Sequence, residues 1–181
     1  MEHLYSLFPE YARDLKVNLQ NVLKQSELTE QQTWGTAVAS ALASRDPQLT
    51  LAILKEAGAR LSPEALHAAK AAAAIMGMNN IYYRFQHLSG QDGYAAMPAR
   101  LRMQAIRTHG VDAVDFELWC TAVSAINGCG VCVASHEKVL REKGVKEETI
   151  LAAIRIASVI HGAAMVLDAE SAVAQATLKA A

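Results

Sequence analysis

Helix start signals recur along this chain, and no useful stretch of it alternates like a strand. Asp46-Pro47 and Ser62-Pro63-Glu64 each place a capping residue before a proline at the first helical position. Thr29 with Gln32 fits a capping box, in which the two residues satisfy each other's backbone N–H groups. Apolar residues then return at helical spacing: Leu15, Leu19, Val22 and Leu23 after Pro9, and Trp34, Val38 and Leu42 after Thr29. With 10 glycines and 4 prolines in 181 residues, and alanine dominant, the connections are short. The fold class expected is all-α.

A third helix stops near Gly58, and an alanine-rich fourth runs from Ser62 through Ile75 and Met76 to about Tyr83. His87 to Met97, with Ser89-Gly90 and Asp92-Gly93, is the clearest loop. Pro98 is expected to open a further helix that ends near His109-Gly110. Asp112 or Asp115 caps the next, and Asn127-Gly128 breaks it. A helix carrying Cys129 and Cys132 then reaches Lys143, with Gly144 beyond its end, and a long last helix starts near Glu147. The expected organisation is one helical domain, 1–181. Trp34 to Ala41 aligns with Trp119 to Ile126, and Leu61 to Gly77 resembles Val145 to His161. This predicts two related helical halves, approximately 1–95 and 96–181, packed about a pseudo-two-fold. Chance likeness between alanine-rich helices is the alternative.

Several function classes are disfavoured. Lys plus Arg (17) nearly balances Asp plus Glu (18), so no basic footprint points to nucleic acid. The N-terminus lacks a basic segment followed by an apolar one, and Lys70 and Arg155 interrupt the longest apolar runs. No membrane span is expected, and the location expected is cytoplasmic. There is no phosphate loop or dinucleotide fingerprint, so no bound cofactor is expected. Met76-Gly77-Met78-Asn79-Asn80 reads as core methionines followed by a polar helix end.

The chemistry concentrates in Asn127-Gly128-Cys129-Gly130-Val131-Cys132-Val133-Ala134-Ser135-His136. If a helix starts near Cys129, then Cys132 and His136 follow on its face. A two-residue gap lets two sulfurs close a small disulfide ring, and a helix N-terminus favours the thiolate. Three readings stand: a redox dithiol, half of a metal site, or buried inert thiols. A structural zinc site wants four ligands, and only Cys120 and scattered histidines remain, so no metal is expected. Gly128 and Gly130 argue for an open turn with outward amides. A thioredoxin-like fold would need strands around the motif, so a dithiol here must work on helices. His136 either relays the proton of Cys132 or is a surface histidine. Glu117, a charge within an apolar run, is either exposed or a buried partner of His136. Glu137 reads as solvated, and Cys120 as a small core residue.

The chain resembles the AhpD alkylhydroperoxidases, within the carboxymuconolactone decarboxylase-like fold, over nearly its whole length. The close matches are Pro9-Glu10-Tyr11-Ala12, Trp34-Gly35-Thr36, Ala74 to Asn80, Phe116-Glu117-Leu118-Trp119 and Ala122 to Cys129. The resemblance implies an all-helical homotrimer that reduces alkyl hydroperoxides through a Cys129–Cys132 dithiol/disulfide cycle. It makes Cys132 the thiol oxidised to a sulfenic acid, which also forms the mixed disulfide with the peroxiredoxin partner AhpC. Cys129 is then proton donor and resolving thiol, and Glu117 and His136 form the proton relay. Electrons would come from a dihydrolipoyl group on a 2-oxoacid dehydrogenase subunit.

One position departs. The family motif carries a histidine immediately before its second cysteine, where Val131 stands here. A valine neither moves a proton nor stabilises a thiolate. Two other functions therefore stay open: a redox adaptor for a peroxiredoxin with little peroxidase activity of its own, and a decarboxylase-like enzyme that needs no dithiol.

Overall fold

The computed structural model describes residues 1–180, and every regular element among them is helical. The α-helices are α1 (Glu2–Tyr5), α2 (Arg13–Val22), α3 (Glu30–Ser44), α4 (Pro47–Ala57), α5 (Pro63–Ser89), α6 (Asp92–Ala95), α7 (Ala113–Ile126), α8 (Gly130–Glu142) and α9 (Glu147–Ala180). The start signals do what their chemistry predicts. Asp46 accepts from the Leu49 amide and Ser62 from that of Ala65. The Thr29–Gln32 capping box closes in both directions, at 3.2 and 3.0 Å.

The core forms around α3. From Thr33 to Ala41 it is buried on every side, enclosed by α4, α5, α7 and α9. A helix with no polar face belongs in an interior, and the small side chains of α3 let its neighbours come close. Trp119 of α7, fully buried, lies against Gly35. Burying a large side chain such as Phe116, Ile156 or Leu167 contributes about 1.5–3 kcal/mol each. A second tie between α3 and α7 is polar: buried Asp115 accepts from Gln31 at 2.7 Å and from Gln32 at 2.8 Å. Asp112, not Asp115, caps α7 by accepting from the Val114 amide.

Over Glu147–Leu178, α9 is long and apolar enough to cross a membrane by composition, yet half of its most apolar 18-residue window is buried. It packs against α2, α3 and α7 and is a core helix.

Three local expectations are corrected. The residues from Pro98 do not form a helix: they run irregularly to a 3-10 turn at Gln104–Ile106. No capping residue precedes Pro98, and Arg100 takes a left-handed φ of 51° that breaks helical continuation. α5 passes Tyr83 and reaches Ser89, ending on Gly90 at φ 63°, so the loop begins later and holds the short α6. Asn79 and Asn80 are therefore not at a polar helix end; both are buried within α5.

Candidate active site

The turn between α7 and α8 presents the two cysteines. Asn127 caps α7, and Gly128 takes φ 67°, a left-handed conformation that glycine adopts without a side-chain penalty. The Cys129 amide then returns to Ser124 O at 3.0 Å, and Cys129 is the N-cap of α8. A polar strut from α5 fixes this turn. Asn80 donates to Ser124 Oγ at 2.9 Å and accepts from Asn127 Nδ2 at 2.9 Å, while Arg84 donates to the Asn127 carbonyl. Both sulfurs thus sit at the positive end of α8, where free amides and the helix dipole favour a thiolate.

Cys129 and Cys132 are joined as a disulfide, their Cα atoms 5.3 Å apart. Their surroundings differ. Cys129 has no exposure, against 7% for Cys132, so the turn is less open than its glycines imply. Cys132 lines a cavity of about 340 Å³ together with Glu117, His136, Ser135 and Asn79. Met76, Tyr83, Met103, Ile106, Val131 and Val139 supply its apolar wall. Cys129 instead lies beneath a shallow groove on the other side of α8, bordered by Gly128, Val133 and Glu137. The larger cavity near Met1, Trp34 and Arg60 holds no cysteine.

Glu117 and His136 are brought together: Oε2 of the carboxylate is 2.6 Å from Nδ1 of the ring. A carboxylate only accepts, so Nδ1 carries the proton and Nε2 is the nitrogen left to exchange one. Nε2 lies 3.3 Å from Met76 Sδ. Glu117 comes from α7 and His136 from α8, so helix packing aligns the pair. Glu137 points away to Arg141 and is half-exposed. Cys120 is buried; its burial, and then the charge of Glu117, hold its thiol well above the usual range. Among the described residues, no cluster of His, Cys, Asp and Glu could hold a metal ion.

Residues that sequence reasoning missed come from two places. Asn79, Tyr83 and Arg84 lie on α5, where polar and aromatic groups on a helix continuing past Tyr83 were the available signal. Met103 and Ile106 come from the irregular stretch, and nothing in its pattern marks them.

The carboxymuconolactone decarboxylase family matches residues 92–175. Over 171 residues the chain is 66% identical to the alkyl hydroperoxide reductase AhpD of Solibacter usitatus, covering 94% of this chain and 97% of that protein. The AhpD protein of Acidobacterium capsulatum is 63% identical over 163 residues, covering 90% and 89%. That of Streptomyces coelicolor is 52% identical over 174 residues, covering 96% and 98%.

Proposed function

This chain belongs to the alkyl hydroperoxide reductase AhpD family, and on that footing we propose that Cys132 is its peroxide-reactive thiol. The observation that carries the reading is the shared cavity: Cys132 opens into the same space as the hydrogen-bonded Glu117–His136 pair, and Cys129 does not. His136 Nε2 takes the Cys132 proton, and Glu117 steadies the resulting imidazolium through Nδ1. The thiolate attacks the hydroperoxide oxygen that bears hydrogen. The O–O bond breaks, Cys132 becomes a sulfenic acid, and the alkoxide leaves as the alcohol with the His136 proton. Cys129 then attacks the Cys132 sulfur, expelling water and closing the disulfide.

A dithiol must return two electrons to reopen the disulfide. We assign this to a dihydrolipoyl group on a 2-oxoacid dehydrogenase subunit, with the peroxiredoxin AhpC as protein partner. Similarity to proteins named AhpD supports both. A cycle restored by thiols suits a reducing compartment such as the cytoplasm. We further read the chain as one domain of two related halves, and the assembly as a homotrimer. Ile81, Phe85 and Leu88 support the latter by leaving an apolar stripe exposed along α5.

The test is consumption of an alkyl hydroperoxide by the reduced protein with dihydrolipoamide present. Cys132→Ser should abolish turnover, and Cys129→Ser should stop at a sulfenate or mixed disulfide. Full turnover in Cys132→Ser protein would sink the assignment.

Val131 favours a second reading, a redox adaptor that serves a peroxiredoxin. Its side chain is 40% exposed at the cavity rim and offers no proton. Stopped-flow mixing with peroxide alone, then with oxidised AhpC, separates the two: an adaptor reacts fast only in the second.

A further inference from the structure

The carboxamide of Asn79 is out of place by ordinary folding energetics. The residue is 3% exposed, and its Oδ1 is buried without a hydrogen-bond partner. Its neighbour Asn80, equally buried, is satisfied by Ser124 and Asn127. A buried acceptor left unmet destabilises a fold and is rarely kept without a use. Asn79 borders the cavity that holds Cys132 and His136.

The other polar groups around that cavity are largely committed. Glu117 is bonded to His136, and the Tyr83 hydroxyl donates to Met103 Sδ at 3.5 Å. Besides Asn79, the Ser135 hydroxyl and His136 Nε2 are the polar groups left, and the rest of the wall is apolar. An entering molecule with one O–H donor and an apolar remainder therefore meets hydrocarbon over most of the wall. The unfilled acceptor of Asn79 becomes its partner once a turn of the carboxamide brings the buried Oδ1 to the cavity surface. An alkyl hydroperoxide has that make-up.

We infer that Asn79 is a substrate-positioning residue whose Oδ1 accepts the hydroperoxide O–H and so turns the terminal oxygen toward Cys132. The inference rests on Cys132 being the peroxide-reactive thiol. Because attack falls on the oxygen that carries the hydrogen, holding that hydrogen fixes which oxygen meets the sulfur. The alkoxy oxygen is left to take its proton from His136. The products are Cys132 sulfenic acid and alcohol, with the Asn79 hydrogen bond passed from peroxide O–H to sulfenic O–H.

The test uses single turnovers in Cys129→Ser protein, where Cys132 is the accessible thiol. Sulfenic acid formation with tert-butyl hydroperoxide is followed by dimedone trapping and mass spectrometry, and alkylation of Cys132 by iodoacetamide is timed in parallel. Asn79→Leu should slow the peroxide reaction about tenfold or more, the value of one lost hydrogen bond at a reacting group. It should leave alkylation within about twofold, since iodoacetamide offers no peroxide hydrogen. Its melting temperature should equal or exceed that of the parent, because the unmet acceptor is gone. An unchanged peroxide rate, or peroxide and alkylation rates falling together, overturns the inference. Failure of the parent Cys129→Ser protein to form any sulfenic acid at Cys132 overturns the underlying assignment, whatever Asn79→Leu does.

Discussion

Glu117 accepts a 2.6 Å hydrogen bond from Nδ1 of His136 and so joins α7 to α8 at the wall of the Cys132 cavity. The pair is four-fifths or more buried on both sides, with side-chain exposures of 15% and 18%. Water screens such a pair less than it would a surface ion pair. The carboxylate fixes which ring nitrogen faces the cavity, and that division of labour can be measured.

If the two residues act as one relay, their effects on rate do not add. His136→Ala should lower peroxide reduction about a hundredfold, the low end for loss of a positioned acid–base group. Glu117→Gln keeps the shape and an acceptor but removes the charge, and should cost about tenfold by the same reasoning. The double variant should be no slower than His136→Ala alone. Initial rates of tert-butyl hydroperoxide consumption decide it, and multiplied losses would mean the residues work separately.

Val131 occupies the rim of the same cavity, beside Cys132. Val131→His puts an ionisable group where the related motif carries one, and it has room because the side chain is 40% exposed. Peroxide turnover should rise. An unchanged rate would mean that Glu117 and His136 suffice.

The fold was legible because its signals are local. Asp46-Pro47, Ser62-Pro63 and the Thr29–Gln32 box each act within one turn of chain, and each is present as read. Both cysteines and His136 were legible for the same reason, being one short helical segment. Glu117 was not decidable from spacing alone, since its pairing depends on α7 packing against α8. Asn79 and Asn80 were misread because a polar pair after methionines looks like a helix end. Tertiary cover alone makes them buried. The residues after Pro98 carried helix-forming side chains, yet they are used to wall the cavity through Met103 and Ile106.

Gly35 is a packing requirement rather than a flexible point. A Cβ there would stand 2.2 Å from Trp119 Cε2, well inside any contact the indole can accept. Gly35→Ala should destabilise by about 1–3 kcal/mol, the usual cost of overpacking a closed core. Helix propensity works the other way, favouring alanine by about 1 kcal/mol, so the clash must exceed that gain. Thermal unfolding should show a melting temperature lower by roughly 2–8 °C. A higher one would mean that Trp119 moves aside freely.

Cys120 gives the protein a pH dependence of known sign. Burial, and then the Glu117 charge, raise its thiol well above the ordinary value of 9.0. Folding therefore favours the protonated thiol. That contribution to stability is whole below the unfolded thiol's pKa and is lost as pH rises from there toward the folded value. In reduced protein near about pH 8.5, where ordinary thiols are half ionised, iodoacetamide should label Cys132 and leave Cys120 unmodified. Cys120→Ala should cost about 1 kcal/mol at neutral pH for the space it opens. The gap between variant and parent should then narrow above about pH 9, where the Cys120 thiol ionises in the unfolded parent but stays protonated in the folded one. Urea unfolding of both proteins at neutral and alkaline pH measures it, and a constant gap would mean that Cys120 ionises no differently in the folded chain.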